Sequence, residues 1–453
     1  MIYFIFYFLA IVSPYIRHKK TPQSIKNSFQ YSSYFSKEEG KERVRPLLDN
    51  QEAFEMHLRL IANAKKKIAV STYRLVLDRA GKTYLAALLE AADRGVQIDF
   101  ITDGKNKLFD LHRSRWFQTF SDHKNINVYI YNPVSILRPH RLLAVHHSKY
   151  LLVDDSFYVL GGRNICNRSY LNEGKKNKDC ELLVYSPKSE QKGSVEELWH
   201  YHNQLKALPT TKPYRPKGLY FKIRPIDSLI KEYKEAEKRY YPKAYNSFYA
   251  WKKETVPTHK ISLLTSEIKA KNKAPVLWDN IDQFVKRAER VKIYTPYIIC
   301  GKEMYEDLTN WSTHLEKIEI LTNSANTAAN VFGASDYLNQ KHNILDTGVL
   351  LREMTGGDSL HQKAYLLDEN LTILGSMNMD MRSVYIDTEL MIAVDSVQLN
   401  QWINADFEHY CSKENINFSN PNLEEEIPQK IPFLKRMLYL ILRIINPFLR
   451  RFC

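Results

Sequence analysis

The chain has 453 residues, and its 65 Lys and Arg residues outnumber its 51 Asp and Glu residues to give a formal net charge of +14. A hydrophobic fraction of 44% excludes an intrinsically disordered protein, and the length suffices for two or three domains. The positive charge predicts an anionic partner, either nucleic acid or an acidic membrane surface, although a solvated Lys-rich surface gives the same balance. Five scattered cysteines without a C-x-x-C pair indicate neither a disulfide framework nor a zinc site.

Residues 1–20 begin with the apolar run MIYFIFYFLAIVSPYI and continue into the basic stretch RHKK. The positive residues follow the run instead of preceding it, which argues against a cleaved secretion signal. Sixteen helical residues measure roughly 24 Å, less than the ~30 Å hydrocarbon core of a bilayer, and Pro14 interrupts them. We predict a hydrophobic N-terminal membrane segment with its basic flank on the cytoplasmic side; packing on the protein core is the alternative.

A polar connector leads to a first α/β domain, predicted over residues 49–208. Apolar strand patterns run from Ile68 to Tyr73 and from Gln97 to Thr102, with a helical pattern between them. The segment 209–259 that follows has no counterpart elsewhere in the chain and interleaves Pro, Tyr and Lys. It is interpreted as a linker, and contact of its rings and basic residues with lipid headgroups or nucleic acid is the alternative.

The second α/β domain, predicted over residues 260–420, repeats the first. Its strand patterns run from Val291 to Tyr297 and from Ile318 to Thr322, again around a helical pattern. Both domains then carry the pattern H-x-K-x4-D, formed by His147, Lys149 and Asp154 in the first and by His361, Lys363 and Asp368 in the second. Asn164 and Asn378 each follow their histidine by 17 residues. Chance does not explain agreement of both the pattern and the spacing.

Residues 421–453 differ from everything before them. Arg436, Arg443 and Arg450 recur every seven residues and share one face of a predicted helix, whose remaining surface is apolar. This pattern predicts a basic amphipathic segment that lies in a membrane interface, and a helix docked on the core is the alternative. Cys453, next to this basic cluster, is a candidate for lipidation, because one acyl chain and a polybasic patch together anchor a protein stably.

The repeated motif predicts the chemistry of the site. Side chains alternate along a strand, so His147 and Lys149 point to one face, as do His361 and Lys363. If the halves meet about a pseudo-twofold axis, two imidazoles, two ammonium groups and two amides surround one point, which suits a phosphodiester. One neutral imidazole attacks phosphorus while the other, protonated, gives its proton to the leaving alcohol. His146 is excluded because only His147 has both the Lys and the Asn offsets.

Each imidazole also needs an acceptor that orients it. Glu181 in KDCELLV and Glu389 in DTELMIAV lie on the strand after each motif and are the candidates. Asp154 and Asp368 complete the motifs, and we expect them to brace the local turn instead of transferring protons. The sequence has no metal-ligand cluster, so we expect a reaction without metal or cofactor.

These residues resemble the signature of the phospholipase D superfamily from about Gln51 to Gln401. Within that span, GGRNI, TPYII, ILTNS and GSMNMDMRSVYIDTEL are most similar to bacterial cardiolipin synthases and related secreted phospholipases. The resemblance implies an α/β fold of two similar mixed-sheet domains with the site at their interface. It implies that His147 and His361 are nucleophile and general acid, with the N-terminal one often the nucleophile, and that the Lys and Asn residues bind phosphate. The first half departs from many members by carrying Gly162 in place of Ser.

We therefore predict an enzyme that cleaves glycerophospholipids through a phosphatidyl-histidine intermediate to give phosphatidic acid. The alternatives are phosphatidyl transfer between two phosphatidylglycerol molecules to give cardiolipin, a nuclease of the same superfamily, and a membrane-binding module without activity. The expected partner is a membrane of anionic phospholipids and not nucleic acid, and the chain is expected to be a monomer. We expect it to be membrane-associated, peripheral or anchored, and secretion toward another cell's membrane is left open.

Overall fold

A computed structural model describes residues 2–187, 193–216, 227–411, 416–419 and 431–452. The strands of the first half and of the segment after it are β1 (Arg43–Leu47), β2 (Lys67–Thr72), β3 (Gln97–Asp103), β4 (Ile126–Tyr131), β5 (Tyr150–Val153), β6 (Phe157–Gly161), β7 (Asn177–Lys178), β8 (Glu181–Tyr185), β9 (Thr211–Tyr214) and β10 (Val256–Pro257). The α-helices up to this point are α1 (Ile2–Val12), α2 (Gln23–Asn27), α3 (Asn50–Asn63), α4 (Arg79–Asp93), α5 (Gly104–Phe109), α6 (Arg115–Asp122), α7 (Asn167–Tyr170), α8 (Ser194–Ala207), α9 (Asp227–Tyr240) and α10 (Trp251–Glu254).

The strands of the second half are β11 (Lys260–Thr265), β12 (Arg290–Tyr294), β13 (Ile298–Ile299), β14 (Lys317–Asn323), β15 (Leu350–Met354), β16 (Ser359–Leu360), β17 (Ala364–Leu367), β18 (Leu371–Gly375), β19 (Met379–Asp380), β20 (Leu390–Asp395) and β21 (Ile416–Ser419). Its helices are α11 (Val276–Val285), α12 (Lys302–His314), α13 (Val331–Asp346), α14 (Met381–Tyr385), α15 (Val397–Cys411) and α16 (Phe433–Leu449). Short 3-10 turns occupy Ser13–Tyr15, Tyr31–Tyr34, Pro139–Leu142, Pro242–Tyr245 and Arg450–Phe452.

Each half builds one mixed sheet, and the two sheets share a strand order. The first contains β8-β6-β5-β2-β3-β4 and the second contains β20-β18-β17-β12-β14-β15. The first two predicted strands pair in parallel in each half, β2 with β3 and β12 with β14, and the motif strands β5 and β17 join them antiparallel. This agreement confirms the predicted α/β fold of two similar domains.

The predicted strands lie within one to three residues of the observed ones. β12 ends at Tyr294, earlier than the predicted Tyr297, and Pro296 lies in between. Proline has no N–H to donate to a ladder, so the strand stops and the chain pairs again only at β13, with β19.

The two halves contact each other through reciprocal pairings at the start of each motif. The backbone N–H of His147 donates to the carbonyl of Thr388 at 2.9 Å, and that of His361 donates to the carbonyl of Lys178 at 2.7 Å. Each motif is thus anchored on the segment that precedes a sheet strand of the other half. This exchange is what a pseudo-twofold relation between the halves requires.

One hydrophobic cluster joins the two sheets. It includes Leu182 and Tyr201 from the first half and Ile392 and Phe407 from the second, all nearly or fully buried. Because both sheets share this core, the positions of their motif strands relative to each other are set by close packing. The segment 209–259 belongs to the first sheet at its two edges, through β9 on β4 and β10 on β1.

The N-terminal segment packs on the protein at its end but leaves a surface open. Tyr15 is buried and its hydroxyl donates to the carbonyl of His140 at 3.2 Å, whereas Phe6, Phe8 and Leu9 of α1 are exposed. The neighbouring loop also ends in apolar side chains, and Leu137 at its tip is 93% exposed. In the part of the chain that the structure describes, no helix combines the length and the apolar character that a membrane span requires.

The C-terminal helix α16 packs on α13 by its polar side. Tyr439 is buried and donates to the carbonyl of Ala325 at 2.7 Å, and Arg450, just beyond the helix, pairs with Asp336 at 3.0 Å. The opposite side is apolar and exposed, and consists of Phe433, Leu434, Met437, Leu438, Leu440, Ile441, Ile444, Ile445 and Phe448. The helix is therefore docked on the core by its polar side, and its apolar side faces outward.

Candidate active site at the interface of the two halves

A cavity of about 540 Å³ opens where the two motifs meet. Its wall includes His147 and Asn164 from the first half and His361 and Asn378 from the second. Four predicted site residues that are up to 231 positions apart in the chain thus share one cavity. The association of the halves brings these four side chains together.

Each imidazole is held by a carboxylate of the opposite half. Nδ1 of His147 lies 2.9 Å from Oε1 of Glu389, and Nδ1 of His361 lies 2.6 Å from Oδ2 of Asp179. An Nδ1–H that donates to a carboxylate fixes the tautomer and the ring orientation, which leaves Nε2 for the reacting phosphorus or its leaving group. Glu389 therefore has the orienting contact that was predicted for it, but with the histidine of the other half.

The structure corrects the prediction for Glu181. Its Oε2 lies 3.1 Å from Nε2 of His57, a buried residue of α3, and it contacts neither His147 nor His361. The sheet register explains the error, because Gly161 pairs with Glu181 whereas the equivalent Gly375 pairs with Met391. Asp179 is therefore the residue that corresponds to Glu389.

The sequence contained a weak signal for Asp179. Asp179 and Glu181 are two residues apart and fall on one face of an extended chain, so both were compatible with the predicted role. The two halves differ in the number of residues between the motif and this strand, so the alignment of two Glu-Leu pairs selected the wrong one. The contact across the interface decides between them.

The lysines lie close to the histidines of their own motifs and are almost fully buried. Nζ of Lys149 donates to the carbonyl of His147 at 2.5 Å, and Nζ of Lys363 donates to the carbonyl of His361. Nζ of Lys363 also lies 3.0 Å from Nδ1 of His361. Nδ1 donates its proton to the nearer Asp179, so it does not also accept a hydrogen bond from the ammonium group. Neither lysine lines the cavity, but two ammonium groups next to its two histidines favour an anion there.

Burial lowers the pKa values of the basic groups in this cavity. Burial, reinforced by Lys149, holds the pKa of His147 well below 6.5, and burial with Lys363 lowers the pKa of His361 to about 4. Burial lowers the pKa of Lys149 to about 7 and that of Lys363 to about 8. A bound phosphodiester anion opposes these shifts, because it stabilises every protonated form around it.

The pKa values of the two orienting carboxylates are shifted in opposite directions. Burial raises the pKa of Glu389 to about 7. Burial would also raise the pKa of Asp179, but His361 and Lys363 outweigh it and hold the pKa below 3.8. The two histidines thus have unequal partners, as a division of labour between nucleophile and acid requires.

The two asparagines have unpartnered buried oxygens. Oδ1 of Asn164 and Oδ1 of Asn378 have no hydrogen-bond partner among the described residues, while Nδ2 of Asn378 donates to the hydroxyl of Tyr297 at 3.0 Å. Both amides line the cavity next to the imidazoles. An unpartnered Oδ1 atom calls for a donor such as a ligand hydroxyl or water. The predicted contact with phosphate would instead be made by the Nδ2 groups of the two amides, because phosphate oxygens only accept hydrogen bonds.

Asp154 and Asp368 brace the backbone. The carboxylate of Asp154 accepts from the amides of Lys65, Lys66 and Lys67 at 2.8–3.0 Å, and that of Asp368 accepts from two amides at 2.8 and 2.9 Å. Both residues have positive φ angles, 52° and 48°, which a tight turn after the motif strand requires. Neither lines the cavity.

The Gly162 departure follows from the shape of the site. A Cβ atom at Gly162 would lie 2.8 Å from Oδ1 of Asp179, too close for a side chain. At the equivalent position, Ser376 donates its hydroxyl to Glu389. The first half therefore lacks the hydroxyl donor, and the absence of a side chain at Gly162 leaves space for the carboxylate of Asp179.

His146 packs in the interior and does not line the cavity. It is fully buried, its Nε2 contacts the hydroxyl of Ser71, and its backbone N–H donates to Asp103 at 2.8 Å. Its exclusion in favour of His147 agrees with these contacts.

Two imidazoles, each oriented by a carboxylate of the other half and each next to the lysine of its own motif, suit a duplicated enzyme that acts on phosphodiesters. The family described as "Cardiolipin synthase, PLD-like domain" matches residues 57–199 and 281–411, more than half of the chain. The chain belongs to this family of the phospholipase D superfamily, and it is an enzyme of that superfamily.

Individual relatives agree with this membership. Cardiolipin synthase C of Escherichia coli strain K12 is 27% identical over 412 residues, which cover 80% of this chain and 83% of the relative. A protein of Helicobacter pylori named only as uncharacterised is 28% identical over 381 residues, covering 77% and 75%. The crystal structure of phosphatidylserine synthase from Haemophilus influenzae Rd KW20 has a TM-score of 0.66 at 16% identity and covers 95% of this chain and 98% of its own, a likeness of fold.

Proposed function

We propose that the protein is a cardiolipin synthase that transfers a phosphatidyl group from one phosphatidylglycerol molecule to another. The observation that carries the proposal is the single cavity to which both halves contribute a histidine, in a chain of the cardiolipin synthase-like family. The name of the Escherichia coli relative supports transfer over the hydrolysis favoured by sequence reasoning. Hydrolysis to phosphatidic acid remains the competing reaction of the same site.

The reaction has two steps. In the first, Nε2 of one histidine attacks the phosphorus of phosphatidylglycerol, the bond from phosphorus to the headgroup oxygen breaks, and the other histidine gives its proton to the departing glycerol. In the second, that histidine takes a proton from the hydroxyl of a second phosphatidylglycerol, whose oxygen attacks phosphorus as the bond to nitrogen breaks. The product is cardiolipin, and water in place of the second lipid gives phosphatidic acid.

The chain's own groups supply the stabilisation that each step needs. Lys149 and Lys363 offset the negative charge on the non-bridging oxygens as the phosphorus becomes five-coordinate, and the two asparagine amides donate hydrogen bonds to them. The expectation of a reaction without metal or cofactor stays a prediction.

Incubation of the purified protein with labelled phosphatidylglycerol in vesicles containing EDTA tests the function. We expect labelled cardiolipin and an equal amount of free glycerol, separated by thin-layer chromatography. Phosphatidic acid as the only product would show that the enzyme hydrolyses phosphatidylglycerol and does not transfer the phosphatidyl group. No lipid product, together with cleavage of DNA, would overturn the lipid assignment.

We infer further that the protein works as a monomer at the surface of a membrane of anionic phospholipids. The exposed apolar surfaces of α1, of the loop tip at Leu137 and of α16 form the contact face, because soluble proteins rarely expose apolar patches of this extent. The segments that follow α1 and α16 contact each other, since the guanidinium of Arg451 donates to the carbonyl of Ile16 at 2.8 Å. Exposed Arg436 and the other basic residues at the chain ends complement anionic headgroups.

Removal of apolar side chains from α16 is expected to weaken membrane binding. Ile444 and Phe448 are 74% and 79% exposed, and I444S/F448S should lower the fraction that cosediments with phosphatidylglycerol vesicles about tenfold or more, because each buried apolar side chain is worth about 1.5–3 kcal/mol. Phe248 in the segment 209–259 is 76% exposed, and F248S is the matched control, expected to bind normally. Normal binding of the α16 variant would contradict the proposed face.

Cys453 lies outside the described residues, so its lipidation stays a prediction. C453S should move the protein from the membrane fraction toward the soluble fraction of its cells if the thiol carries an acyl chain. An unchanged distribution would exclude that role.

A further inference from the structure

The cavity wall carries an asymmetry of charge between equivalent positions of the two halves. Arg168 and Arg382 each follow the site asparagine of their half by four residues. Nε of Arg382 lies 2.9 Å from Oδ2 of Asp387, whereas Nε of Arg168 donates to Oδ1 of Asn177 at 2.7 Å. The same pair is thus built twice, with a carboxylate in the second half and a neutral amide in the first.

Asn177 in place of a carboxylate leaves the guanidinium of Arg168 with no counter-ion among the described residues. Arg382 is neutralised by Asp387 and also donates to the carbonyl of Leu143 at 2.7 Å. In the described part of the chain, Arg168 has no carboxylate oxygen within 4.0 Å, it is only partly buried, and it lines the cavity. One wall of the cavity is therefore cationic while its equivalent is neutral.

A second cation, from the C-terminal helix, is bound to the segment that leads into the cavity wall. Nζ of Lys435 donates to the carbonyls of Asn326 and Ala328 at 2.8 and 3.2 Å, directly before Ala329 and Asn330, which line the cavity. Burial lowers the pKa of Lys435 from 10.5, and the positive charges of Lys175 and Arg168 lower it further. Arg168 lines the cavity and Lys435 is bound next to its wall, so an anion at this edge would lie near both charges and relieve their repulsion.

We propose that Arg168 and Lys435 form a second anion subsite at this edge of the cavity, which holds the phosphodiester of the acceptor phospholipid. This inference rests on the proposed function. The donor phosphorus occupies the space between the two imidazoles and the two lysines, and the acceptor carries its own phosphate one glycerol away from the attacking hydroxyl. Water and neutral alcohols have no such charge, so the subsite acts on the choice of acceptor and favours transfer over hydrolysis.

The test compares two acceptors for one donor. Vesicles of phosphatidylglycerol with added butanol yield cardiolipin from the anionic acceptor and phosphatidylbutanol from the neutral one. We expect R168Q and N177D each to lower the ratio of cardiolipin to phosphatidylbutanol about tenfold, the value for loss of a charge-assisted contact. N177D is nearly isosteric and supplies the missing counter-ion, so it retains the fold even if removal of the guanidinium disturbs it. K302Q, at an exposed lysine of α12 outside the cavity, should keep the wild-type ratio.

The outcomes separate this inference from the proposed function. A fall of both products in equal proportion, or an unchanged ratio in both variants, would overturn the subsite. A wild-type enzyme that makes phosphatidylbutanol and phosphatidic acid but no cardiolipin would instead overturn the proposed function, and the acceptor subsite with it.

Discussion

H147A and H361A should each lower the rate of glycerol release from phosphatidylglycerol by about 10³-fold or more. Loss of the nucleophile removes the covalent route, and loss of the acid forces an unprotonated alkoxide to leave, so each half of the pair is needed in the first step. Because the two residues act as a unit, the double variant should be no slower than the slower single variant. The measurement is the initial rate of glycerol release in vesicles.

A substrate with a good leaving group then assigns the two roles. A nitrophenyl ester of phosphatidic acid needs no proton on its departing oxygen, so the variant that lacks the general acid should regain much of its rate of nitrophenol release. The variant that lacks the nucleophile should not. H200A, at the surface of α8, is the control and should retain the wild-type rate. A normal rate in either H147A or H361A would contradict a shared site.

D179N should lower kcat by about 10²- to 10⁴-fold with little change in KM. An amide in place of the carboxylate can present its NH2 group to Nδ1 of His361, which favours the wrong tautomer and removes the charge that stabilises the imidazolium. The variant should also change the pH profile of kcat, because Asp179 raises the pKa of His361 and its loss lets that pKa fall further. A purely structural role would lower stability without this change in profile.

E181Q is the matched variant two residues away. Glu181 contacts His57 and Arg163 inside the first half, so its replacement should lower the melting temperature and leave kcat within about threefold of wild type. Inactivation by E181Q together with normal activity of D179N would restore the assignment made from sequence and refute the cross-interface contact.

Sequence reasoning located the strands and the two histidines of the site. The apolar patterns located β2, β3 and β14 within about a residue, because these strands are buried and burial requires apolar side chains along them. The duplicated motif located His147 and His361, because reactive residues rarely recur at one spacing unless they share a chemical role. The fold class followed from the same repeat.

Sequence reasoning failed where tertiary contacts decide. No local pattern tells which of two carboxylates, Asp179 or Glu181, faces the other half, because alternation along a strand treats residues two apart alike. The sequence shows Asn177 in one half and Asp387 in the other, but it does not show which side chains they contact. The structure pairs them with Arg168 and Arg382 at equivalent places in one cavity. The amphipathic pattern of α16 likewise predicts a helix but not that its polar side packs on α13.

The most direct test of the central claim is the stoichiometry of the covalent intermediate. The enzyme is mixed with phosphatidylglycerol labelled at phosphorus, quenched at alkaline pH within milliseconds, digested and mapped by mass spectrometry. A shared site predicts at most one phosphatidyl group per chain, on only one of His147 and His361, and no label in the variant that lacks that residue. Two labelled histidines in one chain, or full turnover with label on neither, would contradict a single phosphorus shared by both halves.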